Sequence, residues 1–246
     1  MKRIIKKILI FLVILALLIV LFFITYIVRS RAAIKDMTPV ETSQLTDDVI
    51  AVRDAYVNMY LIKDGADYIA IDAGIRKKDI KDEFKKLGID PERVRAVLLT
   101  HSDADHAGGI SLFEKADIFL SGKEEQLING ETGRFLWFGN KLDARNYKLL
   151  DDKEIKVDEI RVLPISNPGH TPGSVSYLVN EKYLFTGDAL RLYNGSVVPF
   201  PRFINKKAHQ ARKSMQKLTD LDNVEYIFTS HYGYSDNYRE AVKNFR

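Results

Sequence analysis

No cysteine occurs among the 246 residues of this chain. Disulfide bonds, thiolate-bound zinc, iron–sulfur clusters and a cysteine nucleophile are therefore excluded. Acidic residues are also missing from residues 1–28, a stretch that carries Lys2, Arg3, Lys6 and Lys7. The rest of the chain holds 33 basic and 33 acidic residues, so the net charge of +4 comes from the N-terminus. A body of balanced charge disfavours a nucleic-acid partner.

A long hydrophobic run follows the basic leader. Between Ile8 and Val28 only Thr25 is not hydrophobic, and a helix of this length spans about 30 Å, the thickness of a bilayer core. The run is longer than the apolar part of a cleaved signal peptide, which is the alternative interpretation. We therefore expect a membrane anchor over residues 1–30. The basic residues before the run favour a cytoplasmic N-terminus and an extracytoplasmic body at the cell membrane.

The remaining sequence predicts a linker and one domain. Residues 31–46 are polar, contain Pro39 and predict a linker. From residue 47 to residue 246, short β-rich runs such as Val57–Ile62 and Val94–Leu99 alternate with helical patterns. This alternation, in a composition that is 46% hydrophobic and 28% charged, predicts a folded domain of mixed α/β class.

Two helical predictions can be checked individually. Apolar residues at helical spacing from Ile80 to Leu87, followed by Gly88, predict a helix that ends at the glycine. Residues 109–115 predict a short helix. No periodic pattern in residues 129–147 predicts an element.

Four of the five histidines follow predicted strands, in loops rich in glycine and aspartate. Residues 101–106, His-Ser-Asp-Ala-Asp-His, place two imidazoles and two carboxylates within six positions. In an extended loop, alternate residues point the same way, so His101, Asp103 and Asp105 would converge and His106 would face a second ion. Imidazole and carboxylate ligands without thiolate suit zinc, and also manganese or iron.

Three more candidate ligands follow later strands. His170 lies in a loop of proline and glycine, Asp188 ends an apolar strand, and His231 ends another. Each lies within two residues of a glycine, and such loops at strand ends commonly carry active sites. The fifth histidine, His209, lies on the polar face of a predicted helix, and we interpret it as solvated.

Together these motifs resemble those of the metallo-β-lactamase superfamily of metal-dependent hydrolases, over residues 48–235. The resemblance adds Asp72, in the sequence Ile-Asp-Ala-Gly, as the mainly structural residue of the first motif. It implies a four-layer αββα sandwich, preceded here by one transmembrane helix. The metals would lie in a cleft at one edge of the two sheets.

The resemblance also implies two divalent metal ions, with zinc expected first. The implied ligands are His101, Asp103 and His170 for the first ion and Asp105, His106 and His231 for the second, with Asp188 bridging. Asp103 departs from the family pattern, which usually has histidine there. A carboxylate shifts the preference of the site towards iron or manganese, or leaves the first site weak or empty.

The implied chemistry is hydrolysis by a metal-activated hydroxide, with Asp105 orienting the nucleophile or carrying its proton. The substrate would be a small molecule with an ester, lactone, thioester, amide or phosphoester bond. Arg191, Tyr193 and Arg202 are predicted to bind an anionic group of that substrate. A membrane-tethered, non-catalytic module that binds a metal or a ligand is the alternative, and an iron oxidoreductase is a third possibility. The sequence predicts no oligomeric state.

Overall fold

The computed structural model describes residues 2–144 and 146–245. The chain divides into two compact units after Met37. Within the described residues, the helices are α1 (Lys2–Lys35), α2 (Lys77–Leu87), α3 (Ala104–Ala107), α4 (Glu125–Ile128), α5 (Ala208–Thr219) and α6 (Tyr238–Val242). Single turns of 3-10 helix lie at Pro91–Arg93 and Ile110–Leu112.

The first unit is the long helix α1. Its 34 residues include the hydrophobic run, and none of them is buried. Thr25, the polar residue within the run, donates its hydroxyl hydrogen to the carbonyl oxygen of Leu21 at 2.8 Å, which satisfies the hydroxyl inside the helix. The helix is long and apolar enough to cross a bilayer and is compatible with membrane anchoring, and a signal sequence would have the same features. Residues 31–35, which we assigned to the linker, continue this helix.

The second unit contains two mixed sheets. The first has seven strands in sequential order, antiparallel from β1 to β4 and parallel from β4 to β7. Its strands are β1 (Ser43–Gln44), β2 (Val49–Asp54), β3 (Val57–Asp64), β4 (Asp67–Ile71), β5 (Val94–Leu98), β6 (Asp117–Ser121) and β7 (Lys148–Leu150).

The later strands form the second sheet and a hairpin. They are β8 (Ile155–Val157), β9 (Ile160–Ser166), β10 (Val175–Val179), β11 (Tyr183–Phe185), β12 (Leu190–Tyr193), β13 (Ser196–Pro199), β14 (Tyr226–Phe228) and β15 (Tyr234–Ser235). The second sheet has the order β15-β14-β11-β10-β9-β8, and β12 pairs with β13 in the separate hairpin. Strands β11 and β14 are parallel, which brings the loops after both strands to the same edge.

Three hydrophobic clusters divide this unit into four layers. Alternate residues of β2 point to opposite faces, so Val49 and Ala51 join the cluster between the sheets, while Val52 packs with Phe84 of α2. A third cluster lies on the other side of the second sheet and includes Met215 of α5. The four-layer αββα sandwich is therefore confirmed.

The two helical predictions have different outcomes. Helix α2 ends where expected, at Gly88, whose φ of 68° is the left-handed conformation that glycine adopts most easily. Residues 109–115 form only the 3-10 turn Ile110–Leu112, so the longer helix was wrong. Phe113 leaves the helical backbone conformation, and its ring packs against that of Phe84 at 5.7 Å between centroids.

Candidate metal centre

The predicted ligands meet where four strands end. The loop after β5 carries residues 101–106, and the loop between β9 and β10 carries His170. Asp188 follows β11, and His231 follows the parallel strand β14. The seven side chains therefore come from four separate segments that the two sheets bring together.

The first donor set contains His101, Asp103 and His170. Their nearest ligand atoms all lie within 4.8 Å of one another. Oδ2 of Asp103 lies 3.5 Å from Nε2 of His101 and 3.2 Å from Nε2 of His170. Both histidines are buried.

The second donor set contains Asp105, His106 and His231, which also meet within 4.8 Å. Asp188 lies between the two sets. Its Oδ1 is 3.2 Å from Nε2 of His231 and 3.5 Å from Nε2 of His106, while its Oδ2 is 3.4 Å from Nε2 of His170. This carboxylate therefore presents one oxygen to each set.

The expected extended loop at residues 101–106 is wrong. Residues Ala104–Ala107 form the single helical turn α3. The turn moves Asp105 away from His101 and Asp103 and places it beside His106 and His231, because neighbouring positions of a helix turn are not on opposite faces as they are in a strand. Among the described residues, two of the three groups whose ligand atoms meet within 4.8 Å are those that the resemblance implied, and the third joins His101 and His106 to Asp188.

Two of the histidines have Nδ1 atoms that face groups able only to accept a hydrogen bond. Nδ1 of His106 lies 2.8 Å from Oδ2 of Asp72, and Nδ1 of His231 lies 2.8 Å from the carbonyl oxygen of Tyr56. Each Nδ1 therefore carries the hydrogen, and each Nε2 of the neutral ring keeps its lone pair.

The other two histidines are oriented in the same way. Nδ1 of His170 donates to Oδ1 of Asn205 at 3.1 Å. Nδ1 of His101 lies 3.0 Å from Oγ1 of Thr100, which donates its own hydrogen to Asp72 and so accepts from the ring. All four imidazoles thus present an Nε2 lone pair towards the centre, as metal-ligating histidines do.

Four buried atoms here have no hydrogen-bond partner among the residues that the structure describes. They are Nε2 of His101, His106 and His231, and Oδ1 of Asp188. A buried polar atom without a partner costs about 1–3 kcal/mol. Three of these atoms belong to His106, His231 and Asp188. Because imidazole nitrogen and carboxylate oxygen are zinc ligands, the second donor set with Asp188 fits a divalent metal ion.

The carboxylates and imidazoles of the centre shift one another's pKa values. Burial opposes ionisation of Asp188, but the facing His231, His106 and His170 hold the pKa of its carboxyl group well below the usual range. Burial also favours the neutral form of His231, yet Asp188 and Asp105 raise the pKa of that imidazole. The pKa of this carboxyl group and the pKa of this imidazole therefore move in opposite directions.

The sequence of residues 52–231 matches the model of the metallo-β-lactamase superfamily. The chain belongs to this superfamily. Members of the superfamily are hydrolases that bind divalent metals, usually zinc.

The chain is similar in sequence to superfamily members with different names. The chain is 29% identical over 188 residues to the uncharacterized protein YobT of Bacillus subtilis, covering 67% of this chain and 78% of that protein. It is 28% identical over 150 residues to the probable metallo-hydrolase MJ0296 of Methanocaldococcus jannaschii, covering 61% and 63% of the two chains. A hydroxyacylglutathione hydrolase of Nitrosomonas eutropha is 33% identical over 143 residues, covering 55% of this chain and 47% of that one. The chain thus spans about half the length of the last relative.

Solved structures show the same fold at low identity. The metallo-β-lactamase family protein TTHA1429 of Thermus thermophilus has a TM-score of 0.62 and 19% identity, covering 82% of this chain and 79% of that one. A B3 metallo-β-lactamase with an active-site glutamic acid has a TM-score of 0.63 and 18% identity, covering 87% and 92%. These likenesses show the metallo-β-lactamase fold.

The metallo-β-lactamase centre has supporting residues that the sequence analysis did not find. Glu124, which is fully buried, accepts hydrogen bonds from Ser102, Thr171 and Gly173, and so ties the first metal-site loop to the loop of His170. The sequence Lys-Glu-Glu around it carries no motif that separates Glu124 from the exposed Lys123 and the half-buried Glu125.

Arg134 is the second group that was missed. Its Nε lies 2.8 and 2.9 Å from the two carboxylate oxygens of Asp103, and its Nη2 lies 2.6 Å from Oδ2 of Asp103 and 3.1 Å from Nε2 of His170. It belongs to residues 129–147, where no pattern predicted an element. Burial opposes ionisation of Asp103, but His101, His170 and Arg134 hold the pKa of its carboxyl group well below the usual range.

The three predicted substrate-binding residues lie on and beyond the hairpin of β12 and β13. The guanidinium of Arg191 lies 5.6 Å above the ring of Tyr232, the neighbour of His231. Tyr193 is at the tip of the hairpin and 61% exposed, and Arg202 is exposed in the turn that follows. Arg191 thus contacts a residue adjacent to a predicted ligand.

Proposed function

We propose that this chain is a metal-dependent hydrolase whose catalytic metal is held by Asp105, His106 and His231, with Asp188. Zinc is the ion we expect, because it is usual in the superfamily. The observation that carries the proposal is the convergence of three Nε2 lone pairs, of His106, His170 and His231, on the buried carboxylate of Asp188. An acceptor at Nδ1 orients each of these rings.

The chemistry follows from this arrangement. A divalent ion, when bound, polarises a carbonyl or phosphoryl oxygen and lowers the pKa of a water molecule to about 7. Asp72 keeps His106 in the ligating tautomer, and Tyr56 does the same for His231. Asp105 is the most exposed of the predicted ligands, with 23% of its side chain accessible, so we expect its carboxylate to orient the nucleophile or take its proton.

We infer a small-molecule substrate with an ester, thioester, lactone, amide or phosphoester bond. Relatives named hydroxyacylglutathione hydrolase support testing thioesters first, with oxygen esters and lactones next. The balanced charge of the body gives no support to a nucleic-acid substrate. Arg191, Tyr193 and Arg202 stay our predicted contacts for an anionic substrate group.

We also propose the arrangement of the whole chain. Residues 1–30 would anchor it in the cell membrane, and residues 31–46 would form the linker to the domain. Residues 47–246 would form the hydrolase domain outside the cytoplasm. The long apolar helix α1 and the basic residues before its hydrophobic run support this arrangement.

Two substitutions test the function. Replacing the second-set ligand in His106→Ala, or the shared carboxylate in Asp188→Ala, should remove bound metal and reduce turnover by more than the roughly 100-fold that loss of a supporting residue costs. The matched control is His209→Ala, because His209 is exposed on α5 and outside the centre. Metal content by elemental analysis and turnover of a thioester panel are the two measurements. An Asp188→Ala protein with wild-type activity would contradict the assignment.

A further inference from the structure

The carboxylate of Asp103 has a cationic partner inside the chain. Arg134 forms a bidentate ion pair with it, using Nε and Nη2, and only 17% of the arginine side chain is accessible to solvent. Bidentate pairs of this kind are among the strongest hydrogen-bonded contacts in proteins. Asn140 donates a further hydrogen bond to Oδ1 of Asp103 at 2.8 Å.

Arg134 also donates a hydrogen bond to His170, another predicted ligand of the first set. Because Nδ1 of His170 donates to Asn205, Nε2 can only accept, and Nη2 of Arg134 lies 3.1 Å from it. A zinc ion on Asp103 and His170 would lie about 2 Å from each ligand atom. The guanidinium nitrogen already contacts both atoms, so the first set as folded does not fit a metal ion.

Arg134 is held firmly in this position. Its backbone N–H donates to the carbonyl oxygen of Phe138 at 2.6 Å, and its Nη1 donates to the carbonyl oxygen of Ile204 at 3.2 Å. The backbone N–H of Asn140, which closes the loop, donates to Leu127 at 2.9 Å. The backbone bonds therefore hold the loop, and the contact with Ile204 holds the guanidinium beside Asp103.

The second donor set has no such partner. In the described part of the chain, Asp105 and Asp188 form ion pairs only with histidines, and Nε2 of His106 and of His231 has no hydrogen-bond partner. The two sets thus differ in one respect that matters for metal binding, because only the first already holds a cation.

We propose that Arg134 is the resident cation of the first set and that the chain binds a single divalent metal ion, on the second set. Asp103 is then the partner of an arginine and not a metal ligand, which explains why a carboxylate stands where the superfamily pattern has histidine. The inference rests on the proposed function only in requiring that the second set bind a metal. Arg134 supplies positive charge on the side of the cleft where a first ion would lie.

The test is the number of zinc ions bound by the full chain, purified in a mild detergent. Zinc is added in excess, loosely bound zinc is removed by gel filtration, and metal per chain is measured by elemental analysis. The wild type should hold one zinc ion. The double variant Asp103→His with Arg134→Ala supplies a third imidazole and removes the guanidinium, and it should hold two. The control Arg161→Ala removes a surface arginine paired with Glu181 and should hold one.

Each other outcome contradicts the proposal in a recognisable way. Two zinc ions in the wild type would overturn the single-metal inference and leave the proposed hydrolase intact. A folded double variant that still holds one would overturn it too. No zinc in any variant would overturn the proposed function and this inference together. If the double variant does not fold, Asp103→Asn decides: its zinc Kd should stay within about threefold of the wild type, and a tenfold rise would show that Asp103 is a ligand.

Discussion

Buried carboxylates in this protein stabilise loops as well as the metal centre. Asp72 accepts hydrogen bonds from the backbone N–H of Thr100 at 2.7 Å and from Nδ1 of His106, although its own φ of 62° is uncommon for a residue other than glycine. Glu124 likewise accepts hydrogen bonds from two loops, those of Ser102 and of Thr171 and Gly173. Because removal of one partner leaves buried donors unpaired, such residues matter more to stability than surface charges do.

We predict that Glu124→Gln lowers the free energy of unfolding by about 3 kcal/mol. One carboxylate oxygen faces the N–H of Ser102 at 2.9 Å and the other faces the N–H of Gly173 at 3.0 Å, and both groups can only donate. The amide of glutamine therefore sets its own N–H against one of them in either orientation. Urea denaturation measures the change.

Glu114→Gln is the matched control for this prediction. Its side chain is 76% exposed and lies 3.6 Å from Lys77, so the substitution should change the free energy of unfolding by less than about 0.5 kcal/mol. Equal losses in the two variants would show that the network around Glu124 contributes nothing specific.

At the scale of elements, the central strands and the ligand-bearing loops could be predicted, because strands such as β3 and β5 are short apolar runs and the motifs follow them. Short strands such as β1 (Ser43–Gln44) could not, because they show no apolar run. Helix α3 could not, since four residues are too few to show a period. The loop of Arg134 could not either, because its position depends on contacts with Asp103 and Ile204 that are distant in sequence. Long-range hydrogen bonds of this kind leave no local pattern.

Helix α3 depends on close backbone contact with the turn that contains Asp72. The N–H of Ala73 donates to the carbonyl oxygen of His106 at 2.6 Å, and Gly108, just after the helix, lies against the carbonyl oxygen of Ile75. A Cβ atom at Gly108 would overlap that oxygen. The position of His106 therefore depends on the absence of a side chain two residues later.

We predict that Gly108→Ala destabilises the protein by about 3 kcal/mol and weakens zinc binding at least tenfold, because α3 must move away from the turn. Thermal unfolding and zinc titration provide the two values. Gly122→Ala is the control, since no atom lies within 4 Å of a Cβ there and its φ is not positive. Unchanged zinc affinity in Gly108→Ala would mean that α3 tolerates the displacement.

At the scale of the whole molecule, charge and hydrophobicity are unevenly divided between the two units. The exposed apolar side chains of α1 occupy every face of the helix, whereas most of the buried apolar side chains of the second unit belong to three clusters. A helix that is apolar on all sides needs either a bilayer or removal by a peptidase. The two alternatives can be distinguished, because only an anchored protein retains residues 1–30 in its mature form.

We predict that the mature full chain stays in the membrane fraction after alkaline carbonate washing and retains residues 1–30 by intact mass. Leu17→Arg with Leu18→Arg should move it to the soluble fraction, because each arginine at the centre of the span costs roughly 3 kcal/mol. Ala32→Arg with Ala33→Arg adds the same charge outside the hydrophobic run and should leave the chain in the membrane. A soluble wild-type protein whose intact mass corresponds to a chain starting after residue 28 would establish a cleaved signal peptide and refute the anchor.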